Sequence, residues 1–534
     1  IERIEYLRGP ASALYGDTAL GGVIEVFTRA ATSPTSGAVT IDAGSFDTGK
    51  GTIFWRRRGE IEGGVAASIT TTSGFREQSA GDAIYAEAFG GLHKQRWSFA
   101  TRIAGAFTDR EEPGMLPLDI LARDPRRSLD LFRFDREESK RLQASARFSR
   151  NAQVPLQIAA WAKDRQTNLR RTLLLAAGLG DRIERQIDSR AFGASTIATW
   201  GGHIAERPHE LRAGFDLARD SIDSDYFAND GQRLVSAHGS RIRVALFATE
   251  QVDLTPRVRL TAGLRYDSIS DDFDNTTRQE AWSPRGGINV RFGEAGAAPY
   301  VFFAQLSRAF KAPTVDQLFD PRPFPDFMGG TLIVSNPALK PQHGTNLEVG
   351  IWRSSPAMQW ELTVYRMDVT DEIDFDVATF RYRNIGETLH TGAEAAATWR
   401  LQRIAPRIRY EWVRAEPGAG IHQGRQLKNI PEHVIEAGAH AGLPAQFEID
   451  ASVRLLAGWF LDDANALAMD DFWRIDFRLL RPFGNWSAHI DVQNALDSIE
   501  PQVGVLLPDF QGGEIPYAYP SAGRSVRAGV RRRF

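Results

Sequence analysis

The segment Arg257-Val-Arg-Leu-Thr-Ala-Gly-Leu-Arg-Tyr266 alternates two kinds of side chain. One set is Leu260, Ala262, Leu264 and Tyr266, and the other is Arg259, Thr261, Gly263 and Arg265. Successive side chains of a β-strand point to opposite faces, so this alternation is typical of a strand with one apolar and one polar face. The same pattern recurs with turn residues between its repeats, for example at 142–148, 241–250 and 473–479. The chain is therefore predicted to be all-β.

The connections between these segments alternate in length. Short connections with turn residues lie at 57–60, 151–155, 254–257, 293–299, 354–356, 443–446 and 482–485. Long connections lie between them, including 109–137, 165–185, 310–343 and 497–520. Tight turns at one end and long loops at the other are typical of a transmembrane barrel, whereas the loops of a soluble propeller or sandwich have no reason to sort in this way. The pattern predicts a large antiparallel transmembrane β-barrel of about 22 strands.

The composition agrees with a barrel. The chain has 534 residues, no Cys and a net charge of −3, and its mean hydropathy is −0.31. Without Cys there is no disulfide framework, no Cys-type zinc site and no thiol nucleophile, and the net charge gives no argument for nucleic acid. No apolar run approaches the ~18 to 20 residues of a membrane-spanning helix, but a barrel wall needs only alternate residues to be apolar. A soluble all-β protein is the alternative, although a polar inner face suits a wet lumen better than a dry core.

The last predicted strand, 525–534, keeps the same alternation. Val526, Ala528, Val530 and Phe534 share one face, which Arg532 interrupts near the end of the strand. A long side chain in that position can reach the headgroup region. Arg532 is therefore expected at a membrane interface.

The first residues form a different pattern. They read Ile1-Glu-Arg-Ile-Glu-Tyr-Leu-Arg-Gly-Pro-Ala-Ser-Ala-Leu-Tyr-Gly-Asp-Thr-Ala-Leu-Gly-Gly-Val-Ile-Glu-Val-Phe-Thr28. This pattern predicts two short strands joined by the segment 8–16. Gly9, Gly16, Gly21 and Gly22 are expected where side chains would obstruct tight turns or a close backbone approach.

This opening resembles the end of the plug domain of TonB-dependent outer-membrane receptors. The residues that carry the resemblance are Arg8, Gly9, Pro10, Tyr15, Gly16, Gly21 and Gly22. Further segments similar to this family lie at 307–319, 336–341, 365–373, 383–386, 392–394, 429–431, 494–497 and 520–534. In one of them Ala495 stands where the family usually has Phe. The resemblance implies the end of a plug domain at residues 1–30 and a receptor β-barrel at residues 31–534.

The resemblance also implies a function. Members of this family lie in the outer-membrane lipid of Gram-negative bacteria and import a scarce ligand when the TonB-ExbB-ExbD complex pulls on the plug. The barrel assembly machinery inserts them, and the terminal aromatic, here Phe534, belongs to the assembly signal. The segment that contacts TonB, most of the plug and the signal peptide would precede Ile1, so the chain is expected to be N-terminally truncated.

A ferric siderophore is the first choice of cargo, and cobalamin, haem, another metal chelate or a saccharide are the alternatives. No His lies between Thr314 and Ser335, where haem receptors of the family tend to carry one, so haem is a less favoured cargo. A passive outer-membrane pore and a surface adhesin are the rivals from other functional classes.

The loop 319–330 is the candidate ligand-binding segment. Its three prolines restrict the backbone and present Phe319, Arg322, Phe324, Phe327 and Met328. Such side chains suit an aromatic, anionic chelate through stacking and cation–π contacts. The alternative is a loop that packs on its own aromatic residues.

Catalytic chemistry is not expected. The sequence contains no Gly-rich phosphate loop, no His-Glu-x-x-His and no G-x-S-x-G motif, so neither a cofactor nor a catalytic residue is assigned and the chain is not expected to be an enzyme. His433 and His440 are seven residues apart and would lie on opposite faces of a strand, so no metal site is assigned either.

Overall fold

The computed structural model describes residues 3–17, 19–27, 35–273, 276–294, 298–325, 330–376 and 379–534, and it leaves out the side chain of Arg8. The expected domain boundary between residues 30 and 31 lies outside the described residues. Among the helices that the structure describes, none has the length and apolar character that a membrane span requires.

The described chain opens on a small strand–helix–strand unit. Strand β1 (Arg3–Arg8) pairs antiparallel with β2 (Gly22–Phe27), and helix α1 (Ser12–Tyr15) lies between them. The two predicted short strands are confirmed, whereas the short helix was not predicted.

The remaining elements follow in chain order. They are β3 (Thr35–Gly44), β4 (Thr48–Arg57), β5 (Ile61–Thr72), β6 (Gly81–His93), β7 (Trp97–Glu111), β8 (Leu116–Pro117), α2 (Leu118–Arg123), β9 (Arg136–Arg150), β10 (Leu156–Ala176), β11 (Leu179–Ile204), β12 (Arg207–Phe227), β13 (Arg233–Thr255), β14 (Val258–Asp272), β15 (Thr276–Phe292), β16 (Tyr300–Lys311), α3 (Val315–Phe319), β17 (Pro323–Pro325), β18 (Thr331–Ile333), β19 (Gln342–Ser354), β20 (Met358–Thr370), β21 (Ile373–Asp376), β22 (Arg381–Asn384), β23 (Thr388–Trp399), β24 (Ile404–Pro417), β25 (His433–Gly442), β26 (Glu448–Ala457), β27 (Phe472–Phe483), β28 (Trp486–Gln493), β29 (Pro501–Pro508), β30 (Glu514–Pro520) and β31 (Ser525–Arg533). Short 3₁₀ turns lie at Asp130–Phe132 and Pro444–Gln446.

In the described part of the chain, 22 of these strands form one closed antiparallel barrel. Its seam joins the first wall strand to the last, with β3 paired to β31 from Ala38↔Arg533 to Gly44↔Arg527. The remaining strands form small sheets in the long loops, which are β17–β18, β21–β22 and β8–β30–β29. The predicted all-β fold with about 22 barrel strands is thus confirmed.

The predicted connections are confirmed with one exception. Each of the seven short connections falls between consecutive barrel strands, although 295–297 lie outside the described residues. The predicted long connection at 165–185 is wrong, because β10 and β11 continue through it as a hairpin of 21 and 26 residues. The outer face there carries polar pairs, such as Arg170 Nε at 3.1 Å from Glu184 Oε2. A strand that is polar on its outer face gives no apolar alternation, so the sequence pattern did not reveal it.

The two faces of the wall have the predicted polarity. Leu264 is 46% exposed on the outside, while its neighbour Arg265 is 5% exposed in the lumen. Leu246 and Phe247 on β13 alternate in exposure in the same way, although Phe247 is an apolar residue on the lumen face.

Exposed aromatic side chains mark two belts around the barrel. Trp282 and Phe292 are ten residues apart on the outer face of β15, and Trp473 and Phe483 are ten residues apart on β27. Ten residues span about 33 Å along a strand, or about 25 Å across a membrane at a strand tilt near 40°. That height matches the apolar band of outer-membrane barrels. The belt beside the short turns also includes Trp55, Trp97 and Trp486.

The chain ends in the belt beside the short turns. The Arg532 guanidinium carbon lies 5.3 Å from the ring centroid of Trp486, so its charge is at the interface, as expected. Phe534 packs against Gly37 of β3, and the two residues exchange backbone hydrogen bonds of 2.9 and 3.1 Å.

Two substitutions on β14 test the position of the apolar band. Ala262→Arg places a charge midway between the belts and should destabilise the barrel by ~2 to 4 kcal/mol, whereas Val258→Arg, closer to the belt beside the short turn, should cost less. Urea unfolding in lipid vesicles measures both free energies. Equal losses at the two positions would contradict the proposed depth of the strand.

Candidate functional site

Helix α1 lies in the lumen against β14, β15 and β16. Gly16 has φ 74° and ψ −145°, a conformation that favours glycine, and a Cβ there would lie 2.7 Å from Arg265 Nη2. Gly9 has φ 68°, and a Cβ there would lie 3.0 Å from Asn346 Nδ2. The expected close approach is therefore present at both positions. We call Arg265, Asn346 and the other wall residues that contact the described residues of the segment 9–20 the plug seat.

The remaining glycines of the motif behave differently from each other. Gly22 has φ 136° and so needs the freedom of glycine. The steric expectation for Gly21 is wrong, because a Cβ there would meet no heavy atom within 4 Å and its φ is not positive.

A charge cluster around the buried Arg265 lies at the centre of the plug seat. Arg265 Nη1 donates to Asp216 Oδ2 at 2.7 Å, and Arg265 Nε donates to Asp267 Oδ2 at 2.9 Å. A buried guanidinium is tolerated because it is paired in this way. Gly16 thus rests on a guanidinium that two wall carboxylates hold in place.

Tyr15 of the motif stabilises the strand–helix–strand unit itself. The Tyr15 hydroxyl donates to Glu25 Oε1 at 2.8 Å, and burial together with this hydrogen bond raises the pKa of Tyr15 to about 12. The phenol therefore stays protonated and keeps its donor role. Pro10 is buried, and the side chain of Arg8 lies outside the described structure.

Above the plug seat, the loop 312–341 begins with a capped helix. Thr314 Oγ1 accepts from the backbone N–H of Gln317 at 3.2 Å, and Gln317 Oε1 accepts from the backbone N–H of Thr314 at 2.9 Å. This capping box starts α3 at a defined residue and so orients the rest of the loop.

Three polar contacts tie this loop to the long strands β11 and β12. Both terminal nitrogens of Arg185 donate to Asp316, at 3.0 and 2.8 Å. Tyr226 donates to Asp320 Oδ1 at 2.6 Å, and Arg322 Nη2 donates to Asp181 Oδ2 at 2.9 Å. The three contacts hold the loop against the wall.

The environment of Asp320 is protected from water. Burial raises the pKa of the Asp320 carboxyl, while Arg185 and the Tyr226 hydroxyl oppose the rise. The backbone carbonyl of Asp320 also accepts from Ser335 Oγ at 2.7 Å, which joins the two halves of the loop.

The structure places the candidate ligand-binding residues within this packed loop. Phe319 stacks on Phe273, with 4.7 Å between the ring centroids. Arg322 is 8% exposed, and its guanidinium carbon lies 4.4 Å from the ring centroid of Phe324, which is itself 4% exposed. Phe324 also meets Phe380 edge-on at 5.4 Å. Phe327 and Met328 lie outside the described residues.

Sequence reasoning missed the partners that hold the loop. Asp181, Arg185 and Tyr226 belong to the extension of β11 and β12 above the membrane, and Arg185 is 131 residues away from Asp316 in the chain. No local motif marks such pairs, because only the register of the long strands brings them to the loop. Among the described residues, no group of three or more His, Cys, Asp or Glu side chains is arranged to hold a metal ion.

A closed barrel with helix α1 seated in its lumen defines the class of plugged outer-membrane barrels. The family model "TonB dependent receptor-like, beta-barrel" matches residues 78–495. The chain belongs to this family, whose members are receptors and transporters of the outer membrane.

Known relatives and solved structures agree with this assignment. The chain is 25% identical over 437 residues to the ferric enterobactin receptor PirA of Pseudomonas aeruginosa, a match that covers 70% of this chain and 56% of that protein. The chain thus spans little more than half the length of this relative. The fold is similar to the siderophore receptor PiuA of Acinetobacter baumannii, with a TM-score of 0.83, 13% identity and coverage of 99% of this chain and 86% of that chain. It is similar as well to the copper transporter OprC, with a TM-score of 0.79, 15% identity and coverage of 99% and 85%.

Two glycine substitutions test the plug seat. Gly16→Ala forces a side chain into a backbone conformation that excludes it and towards Arg265, and should cost roughly 1 to 3 kcal/mol of local stability. Gly21→Ala, five residues away, should change local stability little. Hydrogen exchange of the peptide 9–20 measures both effects, and faster exchange in Gly21→Ala than in Gly16→Ala would contradict the assignment.

Proposed function

We propose that this chain belongs to a receptor that imports a ferric siderophore across the outer membrane with energy supplied through TonB. The observation that carries the proposal is helix α1 seated in the lumen, because a passive pore has no need of a lumenal plug. Membership of the TonB-dependent receptor-like family and the match to a ferric enterobactin receptor support it.

The cargo is the less constrained part of the proposal. The barrel shares its fold with siderophore receptors and with a copper transporter, so the fold alone does not select among metal chelates. Cobalamin, another metal chelate or a saccharide remain the alternative cargoes.

The two parts of the chain then have different roles. Residues 1–30 form the end of the plug domain, and residues 31–534 form the barrel that lies in outer-membrane lipid. The TonB-ExbB-ExbD complex acts through the plug domain. The barrel assembly machinery inserts the barrel, and Phe534, packed on Gly37 at the seam, belongs to its recognition signal.

The proposed mechanism is binding followed by mechanical release, without bond making, so no enzymatic activity is assigned. A ligand bound above the plug stays on the outer side of the membrane until the plug segment moves. The charge cluster at Arg265 then determines how firmly that segment is held, because Gly16 lies directly against its guanidinium.

The loop 312–341 is proposed to shape the ligand site. The burial of Phe324 and Arg322 favours a supporting role for these two residues, in which they keep the loop in one conformation. Phe319, Phe327 and Met328 complete the proposed platform.

The function is tested by uptake of ⁵⁵Fe in cells without siderophore receptors of their own that express the whole gene encoding this chain. Ferric enterobactin, ferric citrate and ferripyoverdine form the first panel of ligands. We expect accumulation of at least one of them in cells with TonB and a loss of accumulation in cells without it. Accumulation that is independent of TonB would indicate a pore, and no accumulation from any siderophore would move the cargo to another class.

The supporting role of the loop is tested by Phe324→Ala. Removing this buried ring from its contacts with Arg322 and Phe380 should weaken binding of the transported siderophore about tenfold, or ~1.4 kcal/mol. Phe510→Ala, an exposed aromatic in a different loop, is the matched control and should leave the dissociation constant unchanged. Equal affinities in both variants would exclude the loop from the ligand site.

A further inference from the structure

The pairing between β15 and β16 ends partway up the barrel wall. The two strands pair from Phe292↔Tyr300 to Arg285↔Ser307, after which β15 continues beside β14 and β16 continues beside β19. Pro284 is the next residue of β15 beyond the last pair, and it has no backbone N–H to donate. Within the described residues, no strand therefore pairs with the β15-facing edge of 308–311.

The plug segment occupies this edge. The backbone N–H of Phe310 donates to Ser12 Oγ at 3.3 Å, and the backbone N–H of Ala312 donates to Asp17 Oδ1 at 2.8 Å. Backbone groups two residues apart point to the same side of a strand, so the two side chains take the place of a neighbouring strand. Ser12, Phe310 and Ala312 are all buried.

The same edge leads directly into the loop 312–341, and we call the residues 308–313 the root of this loop. The carbonyl of Pro313 accepts from Arg241 Nη2 at 3.0 Å. Arg241 is held by Asp271 through two further hydrogen bonds of 2.6 and 3.0 Å, and this ion pair is buried. The root thus lies between the plug on one side and a fixed ion pair of the wall on the other.

We propose that Ser12 and Asp17 couple the position of the plug to the conformation of the loop 312–341. Withdrawal of the plug segment leaves the N–H groups of Phe310 and Ala312 without their acceptors in a buried place, which is unfavourable. The root then rearranges to hydrate or re-pair them, and α3 moves with it because its cap is Thr314. By linkage, a ligand that stabilises the present conformation of the loop root favours the seated plug.

The biological meaning of this coupling rests on the proposed uptake function, but the coupling itself is measured without ligand or transport. A failed uptake experiment would leave it intact. If the coupling itself is not observed, the proposed uptake function is unaffected.

The first measurement is hydrogen exchange of the segment 308–313 in the purified full chain in lipid nanodiscs. Ser12→Ala and Asp17→Ala, singly, should each speed the exchange of this segment at least tenfold. Asp17→Asn keeps a side-chain oxygen at the same position and should stay close to wild type. Tyr15→Phe removes a hydrogen bond within the plug unit only and should not alter the exchange.

The second measurement follows the loop itself. The chain has no Cys, so a single introduced thiol carries the only spin label. Ile333→Cys reports on the loop 312–341, and Val503→Cys, on a different loop, is the matched control, because the two side chains are 53% and 52% exposed. Asp17→Ala should increase label mobility at position 333 and leave position 503 unchanged.

Two outcomes would overturn the proposal. One is unchanged exchange at 308–313 in both alanine variants, and the other is an equal rise in mobility at positions 333 and 503. Heat-modifiable migration on gels confirms that each variant has a folded barrel, and the two single alanine substitutions give independent tests if one of them does not fold.

Discussion

The structure depends on the requirement that backbone N–H and C=O groups at membrane depth be hydrogen-bonded within the protein. A sheet meets this requirement only when it closes, so the pairing of β3 with β31 completes the wall that the other barrel strands build. The seam is reinforced on the lumen side, where His489 Nε2 lies 2.9 Å from Asp42 Oδ1 across the last strand. Gly529 stands between them, since a Cβ there would collide with both side chains.

Closure has a consequence for the interior. Period-two alternation places a polar side chain in the lumen for each apolar one that faces lipid, so the barrel encloses charges that need partners. Arg265 with Asp216 and Asp267, and Arg241 with Asp271, meet that need within the wall. The same groups hold the plug segment and the root of the loop above it, so the interior charges also position the candidate site.

The long loops are held by contacts between segments that are distant in the chain. Tyr517 pairs with Pro117, which adds β8 to the hairpin of β29 and β30. Arg76 lies in the loop between β5 and β6, and it donates to the carbonyls of Gly114 and Arg127. Burial lowers the pKa of Arg76 to about 10, which still leaves the guanidinium charged at neutral pH. The outer end of the barrel is thus built from contacts among its loops.

The sequence by itself determined the wall. The alternation in 257–266 and its repeats placed Leu264 outside and Arg265 inside, and the turn residues marked the short connections, because both signals are local. The opening residues also indicated the plug segment, through their resemblance to a known family, and predicted its two short strands. Only the tertiary structure decided that β10 and β11 continue beyond the membrane, that Arg185 meets Asp316, and that Ser12 and Asp17 occupy the edge left by Pro284. Those contacts depend on strand register and on closure of the barrel, which join residues that no local pattern relates.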